Sequence, residues 1–245
     1  MKKFLLSIIC VLTCVSGAWA GIVTNRTSAG DPVTYATYVA SAGSGAKYAF
    51  MMPSDNSSTY LKWCGFRSGV ANEYTLSVNH LFILENGSTT GKYKLKSYSD
   101  GKYLAGNNNF GDTPLDLTLV NRLPSDNDYH SDYSNSDLHI SFDNASGNHY
   151  NNYYRDFRGG TGGYSTCIAY GPFYVVTVNC VDESNKTIRT VKYPVQDGTN
   201  FTIAPNVGGY KAKANPDVTV SGADVTVKVT YEDAFKPSAN KRVIS

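Results

Sequence analysis

Apolar and polar side chains alternate along residues 93–104, and this stretch sets the pattern for much of the chain. In its first half, tyrosine, leucine and serine alternate with Lys94 and Lys96, which is the period of a strand with one buried face. Asp100 and Gly101 follow, and an Asp-Gly pair supplies the positive φ that a two-residue hairpin turn requires. The stretch therefore predicts a β-hairpin with a strand on each side of a tight turn.

Similar patterns lie before and after this hairpin. Residues 48–61 share its aromatic start, its apolar alternation, its Ser-Asp turn and its Tyr-Leu pair. In both copies a closing strand is predicted 14 residues after the tyrosine of that pair, at 74–78 and at 117–120. A third copy opens at 138–142 and closes at 173–178. The chain thus carries three related units of about 40–50 residues, which is a length typical of repeat architectures.

Three such units of about four strands each predict a β-trefoil over residues 33–178. One unit cannot bury its own apolar face, whereas three units closing around a common axis can. The repeated pairs Tyr60-Leu61 and Tyr103-Leu104 are then expected in the core, because half-buried aromatic residues commonly fill a small β core.

The composition also favours an all-β fold class. The chain has 19 tyrosines, dense Gly, Asn, Asp and Ser punctuation, and no convincing amphipathic helix. Strand signals begin at residues 33–39, after a polar lead-in at 21–32. A jelly roll or another β-sandwich is the competing architecture.

The Gly-Lys-Tyr-Leu sequence at 101–104, with its flanking strands, resembles the repeats of ricin-type and fascin-like β-trefoil domains. The resemblance covers residues 33–178 and implies a role in handling glycans, as in many secreted bacterial proteins. Ricin-type lectins carry Gln-x-Trp near the end of each repeat, and this chain has no such motif. The sugar contacts of that family therefore do not transfer to this sequence.

A second module is predicted at residues 179–231. Its Asp-Val-Thr-Val-Lys-Val-Thr-Tyr strand at 224–231 follows a turn at Gly209-Tyr210, and the order resembles the small repeats of mucin-binding and other bacterial cell-surface proteins. The resemblance implies a compact β-grasp or immunoglobulin-like module that acts as a spacer or an adhesive unit. Residues 232–245 are expected to form a mobile tail.

The first 20 residues have the pattern of a secretory signal peptide. Lys2 and Lys3 precede an apolar run at 4–15, and Ala-Trp-Ala at 18–20 provides a cleavage site. We expect a secreted protein, located in the periplasm, outside the cell or on its surface. A lipoprotein modified at Cys14 is the alternative. No segment reaches the roughly 20 apolar residues of a membrane-spanning helix.

The net charge of the chain argues against nucleic acid as a partner. Cleavage at residue 20 removes two lysines, so 22 basic and 20 acidic residues become 20 of each. A formally neutral protein provides no broad positive electrostatic field for binding nucleic acid.

Three cysteines remain after this cleavage. Cys64 and Cys167 are the preferred disulfide candidates. A disulfide between Cys167 and Cys180, or three buried thiols, are the alternatives.

The sequence predicts no enzyme, cofactor or metal site. Zinc-binding spacings of His and Cys are absent. The aspartates of residues 126–137 do not match a calcium loop, and a solvated loop is the simpler interpretation. The acidic residues lie mostly in turns rather than in the facing pair that glycoside hydrolysis requires. A nucleophilic pair of Cys167 and His149 has no local signature to support it.

Sugar binding makes smaller demands, because an aromatic face and a few hydrogen-bonding groups suffice. Tyr98, Asp100, Asn107 and Asn108 flank the second hairpin and are the candidate ligand residues, although turn formation alone would also explain them. Residues 150–155 form a second candidate surface. The sequence therefore predicts non-catalytic binding of a glycan or glycoprotein. A structural or adhesive cell-surface protein with a protein partner, or an accessory module of a glycan-degrading system, is the alternative.

Overall fold

A computed structural model of the chain describes residues 29–51, 63–66, 73, 75–106, 109–121, 136–143 and 167–235. The chain divides into two compact units, a first unit at Val23–Phe173 and a second unit that contains Tyr174–Ser245. This division lies a few residues before the boundary predicted after residue 178. Strands dominate the described residues, so the predicted all-β fold class is confirmed.

The described residues of the first unit form a short helix and a series of strands. In chain order they are α1 (Tyr35–Ala40), β1 (Lys47–Met51), β2 (Phe82–Asn86), β3 (Tyr93–Ser97), β4 (Tyr103–Gly106), β5 (Asn109–Gly111), β6 (Thr118–Asn121), β7 (His139–Asp143) and the first half of β8 (Cys167–Val181). Two 3₁₀ turns lie at Val78–His80 and Ser136–Leu138.

Six of these strands are neighbours in a closed ring. Antiparallel ladders join β1 to β2, β2 to β3, β6 to β7, β7 to β8, and β8 back to β1. The remaining link is between β3 and the start of β6, where Tyr93 and Leu117 exchange backbone hydrogen bonds of 3.0 and 2.8 Å. The strands β4 and β5 pair with each other outside this ring, and β4 also pairs with β3.

The predicted hairpin at 93–104 is present as β3 and β4, but its turn is longer than predicted. Ser97 N–H donates to the Lys102 carbonyl at 2.8 Å, so four residues lie between the members of this hydrogen-bonded pair, where a two-residue turn was predicted. Gly101 has a φ of 71° and its N–H donates to the Ser97 carbonyl at 3.0 Å. The positive φ therefore occurs at Gly101, as predicted, but within a wider loop.

The strand predicted at residues 33–39 is wrong, because this segment contains α1. Thr34 has extended backbone angles and its hydroxyl accepts a hydrogen bond from Thr37 N–H at 3.2 Å, which caps the helix. The tyrosines and the valine that suggested a strand lie in this helix, and Tyr38 is its buried residue. The prediction therefore used the two-residue period of a strand where the segment follows the period of a helix.

The closing strands of the second and third copies are present: β6 nearly coincides with the predicted residues 117–120, and β8 contains the predicted residues 173–178. In the first copy, the described residues 75–78 contain no strand, and the next strand is β2 at Phe82–Asn86. Before β2, Ser77 caps a 3₁₀ turn, and its N–H donates to His80 Nδ1 at 3.2 Å. In the third copy, β8 begins at Cys167, earlier than predicted.

The segment 33–43, here called the strap, binds three strands of the ring. Val33 N–H donates to the Ala169 carbonyl of β8 at 2.9 Å, and the Tyr35 hydroxyl donates to the Leu119 carbonyl of β6 at 2.8 Å. At its end, Gly43 N–H donates to the Leu84 carbonyl of β2 at 2.9 Å. The strap therefore connects three separate parts of the ring.

The strap also contributes Tyr38 to the core of the first unit. Tyr38 is completely buried and packs edge-on against Tyr48, Phe50 and Phe142, with ring centroids 5.0, 5.4 and 6.3 Å away. Phe66 and Phe82 extend this cluster. The centre of the unit is thus an aromatic cluster, which edge-to-face contacts stabilise beyond the burial of their area.

The second unit is built around the latter half of β8. Its strands are β9 (Thr187–Val195), β10 (Asn200–Thr202), β11 (Tyr210–Ala212), β12 (Asp217–Thr219) and β13 (Val225–Asp233). The main ladder has the order β9-β8-β13-β11, and β13 runs parallel to β8 while the other pairs are antiparallel. The strands β10 and β12 form a separate antiparallel pair. The core contains Val176, Val178, Cys180, Phe201, Val229 and Tyr231.

The side chains of Cys64, Cys167 and Cys180 are fully buried, and the structure contains no disulfide between Cys64 and Cys167. Cys64 and Cys167 belong to the core of the first unit, and Cys180 belongs to that of the second. Within the ranges given above, no helix is both long and apolar enough to cross a membrane.

The cysteine state can be measured directly. We expect these three thiols to react with Ellman's reagent only after unfolding, because none of them is accessible to solvent in the fold. A disulfide between Cys64 and Cys167 would leave Cys180 as the single reactive thiol of these three in the denatured protein without reductant. Intact-mass measurement before and after alkylation distinguishes the two outcomes.

Candidate functional site

The predicted ligand residues lie around the connection between β3 and β4. Tyr98 and Asp100 are within this loop, whereas Asn107 and Asn108 lie outside the described residues. Residues 150–155, the second candidate surface, also lie outside them, as does His149. The structure therefore describes Tyr98 and Asp100, two of the four predicted ligand residues.

The two placed residues are engaged in the loop itself. Asp100 Oδ1 accepts a hydrogen bond from Lys102 N–H at 3.1 Å, which is the local bond of an Asx turn. Tyr98 is half-buried, its N–H donates to the Leu81 carbonyl at 2.9 Å, and the Lys47 ammonium lies 5.3 Å from its ring centroid. These contacts are those of a structured turn.

A polar network covers the adjoining sheet. The Tyr103 hydroxyl donates to Glu85 Oε2 at 2.9 Å, and Lys96 Nζ donates to Glu85 Oε1 at 3.1 Å while lying 5.1 Å from the Tyr103 ring centroid. The hydrogen bond to Glu85 raises the pKa of Lys96. Tyr103, predicted in the core, is thus half-buried with its hydroxyl bonded, whereas Leu104 is fully buried as predicted.

The second unit contains a cavity of about 280 Å³ that sequence analysis did not identify. Its lining combines two tyrosines, three carboxylates and a hydroxyl. These residues, here called the tyrosine–carboxylate cleft, are Asp182, Glu183, Ser184, Tyr210, Tyr231 and Asp233.

Three separate parts of the chain form this cleft. Residues 182–184 belong to the turn between β8 and β9, Tyr210 begins β11, and both Tyr231 and Asp233 end β13. Tyr210 and Asp233 are direct cross-strand partners in the β11–β13 ladder. The parallel alignment of β13 with β8 brings the end of β13 to the same edge as the turn after β8.

The turn fixes the first two carboxylates. Asp182 Oδ1 accepts hydrogen bonds from the Ser184 hydroxyl at 2.6 Å, Ser184 N–H at 2.8 Å and Lys186 N–H at 2.9 Å. The Ser184 hydroxyl and these backbone donors lower the pKa of Asp182, so this carboxylate stays ionised. Glu183 Oε1 forms an ion pair with Lys213 Nζ at 2.6 Å.

The two tyrosines differ in exposure and in hydrogen bonding. The Tyr231 hydroxyl donates to the Pro205 carbonyl, and burial raises the pKa of Tyr231. Tyr210 is 37% exposed and its ring remains accessible at the cleft. Asp233 Oδ1 accepts a hydrogen bond from Phe235 N–H at 2.9 Å. The cleft therefore combines one anchored and one accessible aromatic ring with carboxylate acceptors held in place by local hydrogen bonds.

The chemistry of this cleft is that of a polar binding site. Among the described residues, no group of three or more His, Cys, Asp or Glu side chains could hold a metal ion. The sequence contained a partial signal, since both the Gly209-Tyr210 turn and the strand at 224–231 were recognised as features of a module. These segments meet at the cleft because β13 pairs in parallel with β8. Neighbouring residues in the sequence do not reveal this long-range pairing.

Comparison with known proteins adds no relative. The sequence matches no protein-family description and no curated protein.

Proposed function

We propose that this protein is a secreted, non-catalytic carbohydrate-binding protein, and that the tyrosine–carboxylate cleft binds a sugar ring. One observation carries the proposal: Tyr210 and Tyr231 converge with three carboxylates on a single cavity of about 280 Å³. Ligand pockets for small molecules commonly measure about 300–1,000 Å³, so this cavity suits a ligand at the small end of that range.

The lining matches the two kinds of surface that a sugar presents. The accessible ring of Tyr210 offers an apolar face to the C–H groups on one side of a pyranose. Asp182, Glu183 and Asp233 offer oxygens to its hydroxyl groups, and hydrogen bonds to an ionised acceptor are roughly twice as strong as those between neutral groups. Because local bonds already hold the carboxylates, little ordering is needed on binding.

The same geometry favours binding without cleavage. A glycosidase needs one carboxylic acid that remains protonated near neutral pH, which requires a raised pKa. In the cleft, the pKa of Asp182 is lowered and its Oδ1 is occupied by three donors from the turn. Glu183 is held by its ion pair with the Lys213 ammonium at 2.6 Å.

The fold is consistent with the architectures suggested by the resemblances. For the first unit we propose a β-trefoil, supported by the closed ring of six strands and by the additional hairpin of β4 and β5. For the second unit we propose a β-grasp module, supported by the parallel pairing of its first and last long strands at the centre of the sheet. Both architectures occur in extracellular recognition proteins, as the resemblances imply.

Calorimetry with a panel of uncharged oligosaccharides tests the proposal. Tyr210→Ala is expected to weaken binding by about tenfold, since an aromatic contact contributes roughly 0.5–1.5 kcal/mol beyond buried area. Tyr98→Ala removes a tyrosine from the sequence-predicted site in the first unit and serves as the matched control, with binding expected to be unchanged.

Two other binding results would contradict the proposal. Loss of binding in Tyr98→Ala with retention in Tyr210→Ala would overturn the assignment to the cleft and would favour the β3–β4 loop. Absence of binding across the panel would overturn carbohydrate recognition by the cleft. In that case an adhesive role with a protein partner becomes the leading hypothesis.

A further inference from the structure

Two exposed aromatic side chains lie together at one end of the β11–β13 ladder. Tyr210 is 37% exposed and Phe235 is 82% exposed, and among the residues that the structure describes they are the only large hydrophobic side chains exposed to this extent. A single exposed apolar residue is ordinary on a protein surface. Two that meet beside a cavity are a more specific signal, because aromatic side chains are typical of the lining of ligand sites.

Backbone contacts fix the position of Phe235 beside the tyrosine–carboxylate cleft. Tyr210 and Asp233 are the last cross-strand partners of the ladder. The Ala234 N–H donates to the Gly209 carbonyl at 3.0 Å, which continues the pairing by one residue. The Phe235 N–H then donates to Asp233 Oδ1 at 2.9 Å. Phe235 is therefore anchored by a carboxylate that also lines the cleft.

The ring of Phe235 lies over the glycine that precedes Tyr210. Gly209 has a φ of 78°, and a Cβ built on it would lie 3.9 Å from Phe235 Cε2. Glycine leaves no side chain between this ring and the backbone of the turn. Because Phe235 is 82% exposed, most of the surface of its side chain remains in contact with solvent. The turn thus carries one accessible ring at Tyr210 and a second at Phe235.

The size of the cleft gives the second ring a use. A cavity of about 280 Å³ lies at the small end of the range for ligand pockets, so the further units of a longer sugar chain must lie outside it. Phe235 has no polar group on its side chain, and its ring offers only an apolar surface for stacking. The C–H face of a neighbouring sugar unit is a surface of the matching kind.

The surroundings of the two rings favour a sugar over a protein partner. Charged residues are depleted at the cores of protein–protein interfaces. Here the two rings adjoin a cavity that is lined by Asp182, Glu183 and Asp233. Carboxylates next to aromatic rings instead suit a ligand that presents hydroxyl groups and C–H faces together.

We propose that Phe235 forms a second subsite beside the tyrosine–carboxylate cleft, where its ring stacks on the sugar unit next to the one bound in the cleft. The ligand is then an uncharged oligosaccharide of at least two units and not a monosaccharide. The inference rests on the proposed function and deepens it, because it assigns a chain length to the ligand and a residue that reads it.

The dependence of affinity on chain length tests this subsite. Glucose, mannose and N-acetylglucosamine are titrated against the full chain by NMR, and maltotriose, cellotriose, mannotriose and triacetylchitotriose by calorimetry. The trisaccharide that binds is expected to bind at least about tenfold more tightly than its own monosaccharide. Phe235→Ala should weaken binding of the trisaccharide by about tenfold and change binding of the monosaccharide by less than about twofold.

Two further variants serve as controls. Phe235→Tyr keeps the ring, and binding of the trisaccharide is expected to remain within about twofold of the original. Tyr210→Ala should weaken binding of both the monosaccharide and the trisaccharide, since its ring belongs to the cleft. The high exposure of Phe235 means that its replacement should leave the thermal unfolding midpoint unchanged.

Equal affinity for the monosaccharide and the trisaccharide would overturn the second subsite and leave sugar binding by the cleft intact. The same overturning result would be a loss in Phe235→Ala that is equally large for both sugars, because Phe235 would then act on the unit in the cleft. Absence of binding by every sugar would overturn this inference together with the proposed function, so the two failures are distinguishable.

Discussion

Replacing Tyr38 by alanine is expected to lower the free energy of unfolding of the first unit by about 3–5 kcal/mol, the range observed for large aromatic residues truncated in cores. Tyr38 is completely buried and contacts Tyr48, Phe50 and Phe142 through edge-on rings. These partners lie on β1 and β7, which are not adjacent in the ring of strands. The substitution therefore opens a cavity where two predicted repeats meet.

Urea unfolding followed by tyrosine fluorescence and circular dichroism measures this effect. Tyr38→Phe is the matched control, because it keeps the ring and removes only the hydroxyl. Within the described part of the chain this hydroxyl has no hydrogen-bond partner, so its loss is expected to change stability by less than about 1 kcal/mol or to increase it. A loss in Tyr38→Phe as large as that in Tyr38→Ala would show that the hydroxyl, and not ring packing, is the source of stability.

Replacing Gly87 by alanine is expected to destabilise the first unit by about 2–3 kcal/mol, as overpacked sites commonly do. Gly87 follows β2, and its N–H donates to the Lys92 carbonyl at 2.7 Å, which closes the hairpin between β2 and β3. A Cβ at this position would lie 2.6 Å from the Lys92 carbonyl carbon and 2.7 Å from its oxygen. The obstacle is backbone, so the hairpin connection itself must move.

Gly111→Ala provides the matched control for this prediction. An added Cβ there would meet only the Ala105 side chain at 3.5 Å, an ordinary contact distance. Thermal unfolding should therefore show a lower midpoint for Gly87→Ala and little change for Gly111→Ala. Equal midpoints for the two variants would mean that the β2–β3 connection adapts without cost.

The sequence was most informative where local pattern and local structure coincide. Alternation around Lys94 and Lys96 located β3, and the Tyr-Leu pair located Leu104 in the core. Segment 33–39 was misassigned because β-branched and aromatic residues suggested a strand, while the hydroxyl of Thr34 initiates a helix. The preference of these residues for strands was outweighed by helix capping and by the burial of Tyr38.

The candidate site was less accessible to sequence analysis than the fold. Asp100 was proposed as a ligand residue, but its carboxylate is used within its own turn. Tyr231 was predicted only as the end of a strand, and nearly fifty positions of sequence separate it from Asp182. Their proximity follows from the parallel ladder between β8 and β13, a long-range pairing that single-sequence periodicity does not encode.

The parallel ladder also determines how the second unit responds to tension. Six consecutive residue pairs, from Val225 with Val176 to Thr230 with Val181, join its first and last long strands. A pull from the preceding chain acts at the start of β8, and a pull from the following chain acts at the end of β13, so the two strands are drawn along their length in opposite directions. The hydrogen bonds between them are then strained together and not one after another. A module built in this way is expected to resist a force applied along the chain better than one whose hydrogen bonds break one after another.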